Sequence, residues 1–251
     1  DTMFYLLENI GKREKGKWQP ITYINMAAAC LLYSLKKPLK GFDMEVALCK
    51  TMCEAAKRGL IKHIIQISTS EVYGGGNQLT LQSPCLPRTT YAAAKLASDG
   101  LVNAYRQLYN IKASIIRPFN TYGPRQENAI IPATIKRILD GKKPIINGDG
   151  NQIRDYTYIS DMAIQIVDYI DEGRTDDCIM ASGHGYTVKE VIERVMKQIE
   201  YTGDIEYNND RIGDVECLVS QQKHDNLVSI EIGINETIRW WRSDESSYLR
   251  S

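Results

Sequence analysis

The chain's 251 residues are 43% hydrophobic and 25% charged, the make-up of a globular protein with room for one large domain or a sheet domain with a small second lobe. Lys+Arg and Asp+Glu both number 31, so no excess of positive charge points to nucleic acid or to an anionic membrane surface. No apolar run reaches the length of a bilayer span and no secretory leader is visible, which sets the expectation of a cytoplasmic protein.

Residues 2–13 carry Phe4, Leu7 and Ile10 on one side of a predicted helix, followed by a polar, basic loop. ITYINMAAA at 21–29 reads as a buried strand running into small residues. An amphipathic helix is expected within 39–59, ending at Gly59. IKHIIQIS at 61–68, rich in β-branched residues, is the clearest strand. A helix over about 90–109 and a strand at 112–118, ended by Pro118, complete an alternation that predicts a parallel sheet with helices on both faces. Beyond Gly123 the strands shorten (PIING, CIMAS), and helices are expected at 130–140, 160–172 and 187–200. Residues 1–123 are thus assigned to the sheet domain. Residues 124–251 are assigned mainly to a smaller lobe at the carboxyl ends of the strands, where open α/β sheets bind ligands, with some segments returning to the sheet.

The six cysteines (Cys30, Cys49, Cys53, Cys85, Cys178, Cys217) form no CxxC pair, and His63, His184 and His224 have no ligand spacing. Buried free thiols and no metal are therefore expected, although Cys49 and Cys53 lie one helical turn apart.

Four segments carry chemistry. Tyr91-Ala-Ala-Ala-Lys95 puts a phenol and an ammonium on one helix face. A fixed positive charge favours phenolate, so the pair suits a base that takes a proton from a hydroxyl; in isolation the spacing is common by chance and reads more readily as a solvated helix face. The strand tip Ser68-Thr69-Ser70-Glu71-Val72-Tyr73-Gly74 brings hydroxyls and a carboxylate to the ligand edge, or else forms a capping cluster. Arg117-Pro118-Phe119-Asn120-Thr121-Tyr122-Gly123 and the run Asn147 to Asp161, with Arg154, follow at the ends of later strands.

In this order and spacing, STSEVYG, YAAAK, RPFNTYGPRQ and NGDGNQIRDYTYISD resemble the extended short-chain dehydrogenase/reductases that act on nucleotide sugars, over residues 20–173, and GINETIRWW at 233–241 resembles their C-terminal ending. The resemblance implies a Rossmann-like doubly wound sheet, NAD as cofactor and a nucleotide-diphosphate sugar as substrate. It also implies a homodimer built on the helices at 39–59 and 90–109.

Residue by residue, it implies that Tyr91 is the base and that Lys95 holds the nicotinamide ribose. Thr69 would bind the sugar's 4-oxygen, Glu71 would be a catalytic glutamate and Ser70 a hydrogen-bonding relay. Ala27, Ala28, Ser68 and Pro118 would join Tyr91 and Lys95 around the cofactor. Asn120, Arg154 and Arg211 would hold substrate, the two arginines at its diphosphate.

The activity implied is a 4,6-dehydratase, with dehydratases of UDP-N-acetylhexosamines the nearest in pattern. A 4-epimerase and a UDP-glucuronate decarboxylase are the alternatives of the same class, and a non-catalytic homologue that has lost NAD binding is the alternative of another.

The pattern departs from the family in two places. No GxxGxxG turn is present, so the chain as given is expected to bind NAD poorly, as a truncated chain or a naturally short homologue. In EVALCKT at 45–51, Glu45, Leu48 and Thr51 replace the Asn, Gly and Asn of the related N-V-x-G-T-x-N pattern, in a helix packed near the cofactor.

Overall fold

A computed structural model describes residues 12–14 and 17–243, apart from 212 and 225. The expected helix at 2–13 lies mostly outside these residues. Its last two described positions are not helical: Lys12–Glu14 (β1) pairs antiparallel with Lys17–Gln19 (β2) as a hairpin where a loop was expected. The apolar spacing that suggested a helix ends at Ile10 and gives this stretch no helical face.

The chain divides into two compact units, and each draws on separate stretches of sequence. The first takes residues 1–74, 84–117 and 173–179; the second takes 75–83, 118–172 and 180–251. Residues 173–179 thus return to the first unit, while 75–83 belong to the second.

In the first unit, Ile21–Asn25 (β3), Ile61–Ile67 (β4), Ala113–Pro118 (β6) and Cys178–Met180 (β10) form one sheet in the order β10-β6-β4-β3. The pairs β3–β4 and β4–β6 are parallel. Central β4 is buried on both faces from His63 to Gln66, which is why IKHIIQI reads as a run without alternation. Two helices cover one face. Pro38–Lys57 (α2, after the short α1 at Leu31–Lys36) starts on a proline, whose missing N–H costs nothing in a first turn. Thr90–Tyr109 (α3) starts on Thr89, whose hydroxyl accepts from the Ala92 amide at 3.1 Å, and ends on Asn110 in the left-handed region. Cys49, Met52, Cys53, Val102, Ile64 and Ile115 share the resulting core.

Of the cysteines, all free, only Cys49 and Cys53 are fully buried, and Cys30 is exposed, so burial of all six is not observed. The small, weakly polar thiols fill core space beneath α2, and Cys49 donates to the Ser98 carbonyl at 3.5 Å.

In the second unit, Gly76–Leu79 (β5), Ile153–Tyr158 (β9), Gly185–Thr187 (β11) and Cys217–Ser220 (β13) pair in the order β11-β9-β13-β5, with Asn120–Tyr122 (β7) also pairing with β9. Ile145–Asn147 (β8) and Glu206–Asn208 (β12) form a separate parallel pair. The helices are Ile130–Leu139 (α4), Ile159–Asp171 (α5), Val188–Ile199 (α6) and Ile230–Arg242 (α7), the last containing the GINETIRWW run. Tyr122, Ile131, Ile135, Val191, Ile234 and Trp241 are among its core residues. Among the described residues, no helix is long and apolar enough to cross a membrane, and no three His, Cys, Asp or Glu gather as metal ligands.

Candidate functional site

Strand β4 delivers the first group of expected site residues. It ends at Ile67, and the chain passes through Ser68 and Thr69 into a single 3-10 turn, Ser70–Tyr73. Thr69 is extended and its hydroxyl accepts from the Glu71 amide at 3.2 Å, so the carboxylate-bearing residue is fixed by the hydroxyl two places before it. Gly74 closes the turn at φ 71°, and a Cβ there would come within 1.8 Å of the Leu86 carbonyl oxygen, so the position needs glycine on both counts. Ser68, Thr69 and Ser70 are buried and Glu71 is half-buried.

Helix α3 delivers the second group from its first turns. Tyr91 is partly buried. Its phenol is pushed up to about 12, chiefly by burial; a hydrogen bond with the Thr69 side chain pulls the other way, while the charges of Glu45 and Glu71 push it further up. The pairing with Lys95 thus does not leave a phenol with a depressed pKa. Lys95, one turn on, is 2% exposed. Its ammonium donates to the Ile67 carbonyl at 3.0 Å and forms an ion pair with Glu45 at 2.9 Å.

Beneath the strand tip lies a second charged group. Ser68, expected against a cofactor, donates its hydroxyl to the Asp99 carboxylate at 2.9 Å. Arg117 donates to the same oxygen at 3.1 Å and to the Tyr73 phenol at 3.2 Å. Burial raises the Asp99 carboxyl to about 6 against the pull of Arg117 and Ser68. Glu45, Asp99 and Arg117 are absent from the sequence-derived set of site residues. Glu45 had a signal, the replacement of an expected asparagine; Asp99 had only its place one turn beyond Lys95. Ala27 and Ala28 follow the end of β3 and are exposed.

The remaining expected residues belong to the second unit. Pro118 and Asn120 are partly buried, and Asn120 pairs in register with Tyr156 of β9. Arg154 is buried on β9, donates to the Ile153 carbonyl at 2.9 Å and forms an ion pair with Asp214. Arg211 is exposed. Next to Arg154, Asp155 is fully buried and accepts from the Ser182 amide and hydroxyl and the Gly183 and Ser220 amides, at 2.6–3.3 Å. It pins the 181–184 segment to the sheet.

The sequence model described as GDP-mannose 4,6 dehydratase matches residues 16–233. A dTDP-glucose 4,6-dehydratase of Mycobacterium tuberculosis is 30% identical over 214 residues, 78% of this chain and 64% of that protein. The chain therefore spans less than two thirds of that relative's length. Among solved structures, the UDP-N-acetylglucosamine 4-epimerase of Methanobrevibacter ruminantium, in complex with UDP-N-acetylmuramic acid, superposes with a TM-score of 0.82 at 26% identity, covering 94% of this chain and 79% of that one. A dTDP-glucose 4,6-dehydratase of Bacillus anthracis in complex with NAD gives 0.81 at 26% identity, covering 97% and 78%.

Proposed function

The chain belongs to the GDP-mannose 4,6 dehydratase family, a family of nucleotide-sugar dehydratases and epimerases, and from that premise we propose that it is an NAD-dependent nucleotide-sugar 4,6-dehydratase. The observation that carries this reading is the strand tip: the buried Thr69 hydroxyl accepts from the Glu71 amide at 3.2 Å, and both side chains act on the Tyr91 phenol. Beside a hydride acceptor, oxidation at C4 needs only the phenol and its partners. Loss of water across C5 and C6 also needs a carboxylate beside them, and Glu71, its backbone amide held by the hydroxyl of Thr69, is the carboxylate residue of this strand tip.

The residues present suit the nicotinamide end of NAD: Ala27 and Ala28 leave the end of β3 open, and Lys95 ends in an ammonium beside the end of β4. No GxxGxxG turn stands in these residues to hold the pyrophosphate. When bound, NAD would accept the hydride from C4 and return it to C6 after water has left, so that the reaction is a net dehydration.

In this reading Tyr91 takes the proton of the 4-hydroxyl as its carbon is oxidised. The resulting ketone acidifies C5, Glu71 removes the C5 proton, and the C6 hydroxyl leaves as water with a proton delivered through Glu71 and Ser70. Asn120, Arg154 and Arg211 bind the substrate, the arginines at its diphosphate. Arg154 binds it only by exchanging or sharing its partner Asp214. The protein acts as a homodimer in the cytoplasm.

The test is Glu71→Gln in the NAD-loaded protein, with a panel of nucleotide sugars and products identified by mass. A 4-keto sugar that retains its C6 oxygen is expected to accumulate, because Tyr91 and Lys95 are untouched while an amide cannot take the C5 proton. Dehydration at the wild-type rate removes Glu71 from the mechanism. An epimerised product formed equally by both proteins makes the chain a 4-epimerase.

A further inference from the structure

The reading above uses Tyr91 and Lys95 but leaves unexplained a carboxylate set directly against the lysine. Glu45 sits in the middle of α2 and is 1% exposed. Its Oε1 lies 2.9 Å from Lys95 Nζ, and among the described residues neither of its oxygens has a hydrogen-bond partner. The contact is an ion pair without normal hydrogen-bond geometry. A buried carboxylate without donors is costly, and shape does not require it here: the related pattern carries asparagine at this position.

The lysine faces the Ile67 carbonyl from β4, Glu45 from α2 and the Asp99 charge from its own helix. The phenol faces Thr69 and Glu71 from the strand tip, Glu45 from α2 and Cys30 from the segment before α1. Two negative charges and one thiol therefore surround a base whose ionised form is itself negative. A lysine with no buried counterion would lend its whole positive charge to the phenolate; paired, it lends little.

We propose that Glu45 is a positioning residue of this site: it fixes Lys95 from α2, offsets the ammonium's charge, and so sets the pH at which Tyr91 becomes a base. This rests on the dehydratase reading only for the use made of Tyr91; the electrostatic arrangement stands independently of the reaction. The consequence is an enzyme whose oxidation step is held back at neutral pH and gains with alkalinity. Burial and Glu45 act on the phenol in the same direction.

The experiment reads the proton on Tyr91 directly. Protein carrying tyrosine labelled with 13C at Cζ is titrated by NMR, with the Tyr91 resonance identified by its disappearance in Tyr91→Phe. In the wild type this resonance should stay that of the neutral phenol to about pH 10 or beyond. In Glu45→Gln and Glu45→Asn the midpoint should fall by about one pH unit. The acid limb of kcat/KM in the NAD-loaded protein should move down with it, whereas a merely structural role would lower kcat/KM without moving the limb.

The asparagine variant guards against misfolding, since the related pattern holds that residue in the same helix. An unmoved Tyr91 midpoint in a variant folded by circular dichroism overturns the proposal, as does unfolding of both variants, which makes Glu45 a requirement of the fold alone. A shifted midpoint with no turnover of any nucleotide sugar upholds the role of Glu45 and sinks the dehydratase reading. Turnover with an unmoved midpoint does the reverse.

Discussion

Glu45 in the first unit and Asp155 in the second are both shut away from solvent, and their neighbours treat them in opposite ways. Asp155 accepts from three backbone amides and one hydroxyl, so its charge is spent on stitching residues 182, 183 and 220 to the sheet. Glu45 accepts no hydrogen bond among the described residues and faces a single ammonium. A carboxylate surrounded by donors is satisfied and inert. One set against a lone counterion still projects its field onto the phenol that must ionise. Burial alone does not separate a structural charge from a functional one; the inventory of partners does.

The sharpest test of that contrast is Tyr91→Phe. Loss of one hydroxyl from the first unit should lower turnover by roughly 10²–10⁴ and leave urea denaturation unchanged, because the phenol serves chemistry rather than packing. Activity within threefold of wild type would make Tyr91 and Lys95 a mere helix face. Asp155→Ala should do the converse. Three amides would lose their acceptor, costing about 3 kcal/mol of stability in urea denaturation, with the Tyr91 titration unmoved. A loss below about 1 kcal/mol would show that water replaces the carboxylate.

The smallest effect concerns pH. His63 on β4 is buried against the Ser114 hydroxyl at 2.7 Å, and burial, with the charges of Lys112, Arg106 and Lys62, depresses its pKa from 6.5 to about 4. A folded pKa below the unfolded one contributes stability that is present above about 6.5 and lost as pH falls through 4. Asp99, raised to about 6, runs the other way, contributing stability that is full below 3.8 and lost as pH rises through 6. The two slopes oppose each other in the wild type. His63→Gln should therefore gain on wild type as pH falls from 6.5 to 4, by about 2 kcal/mol across that window, as read by denaturation at each pH. A constant difference would mean that His63 ionises freely in the folded chain.

The sequence foreshadowed the first unit better than the second. IKHIIQI, the α2 and α3 segments and Pro118 carried strong local signals, because a strand buried on both faces and long amphipathic helices leave runs that few alternatives share. Strands β5, β7, β11 and β13 were not foreseen. Each has only three or four residues, too few for alternation to register, and their partners are far away in sequence. Within the candidate site, Ser68 to Glu71, Tyr91 and Lys95 were legible as residue types at a spacing. What each touches was not: that Ser68 spends its hydroxyl on Asp99, and Arg154 its guanidinium on Asp214, depends on chain segments brought together only by folding.

The route by which strand β10 enters the first sheet bears on how the protein emerges from the ribosome. Its neighbour β6 is complete once residue 118 has been made, yet the segment 173–179 that covers that edge arrives more than fifty residues later, after most of α4, α5, β7, β8 and β9. Asp177 then bridges Arg106 and the Ile115 amide, the latter at 2.8 Å, and fastens the returning segment to α3 and β6 at once. Until that moment a nascent chain displays an open strand edge rich in isoleucine, a template for pairing with the wrong neighbour. Translation that stalls between residues 118 and 173 should leave its products in aggregates, and the span of synthesis before Asp177 appears is the interval a chaperone would have to cover.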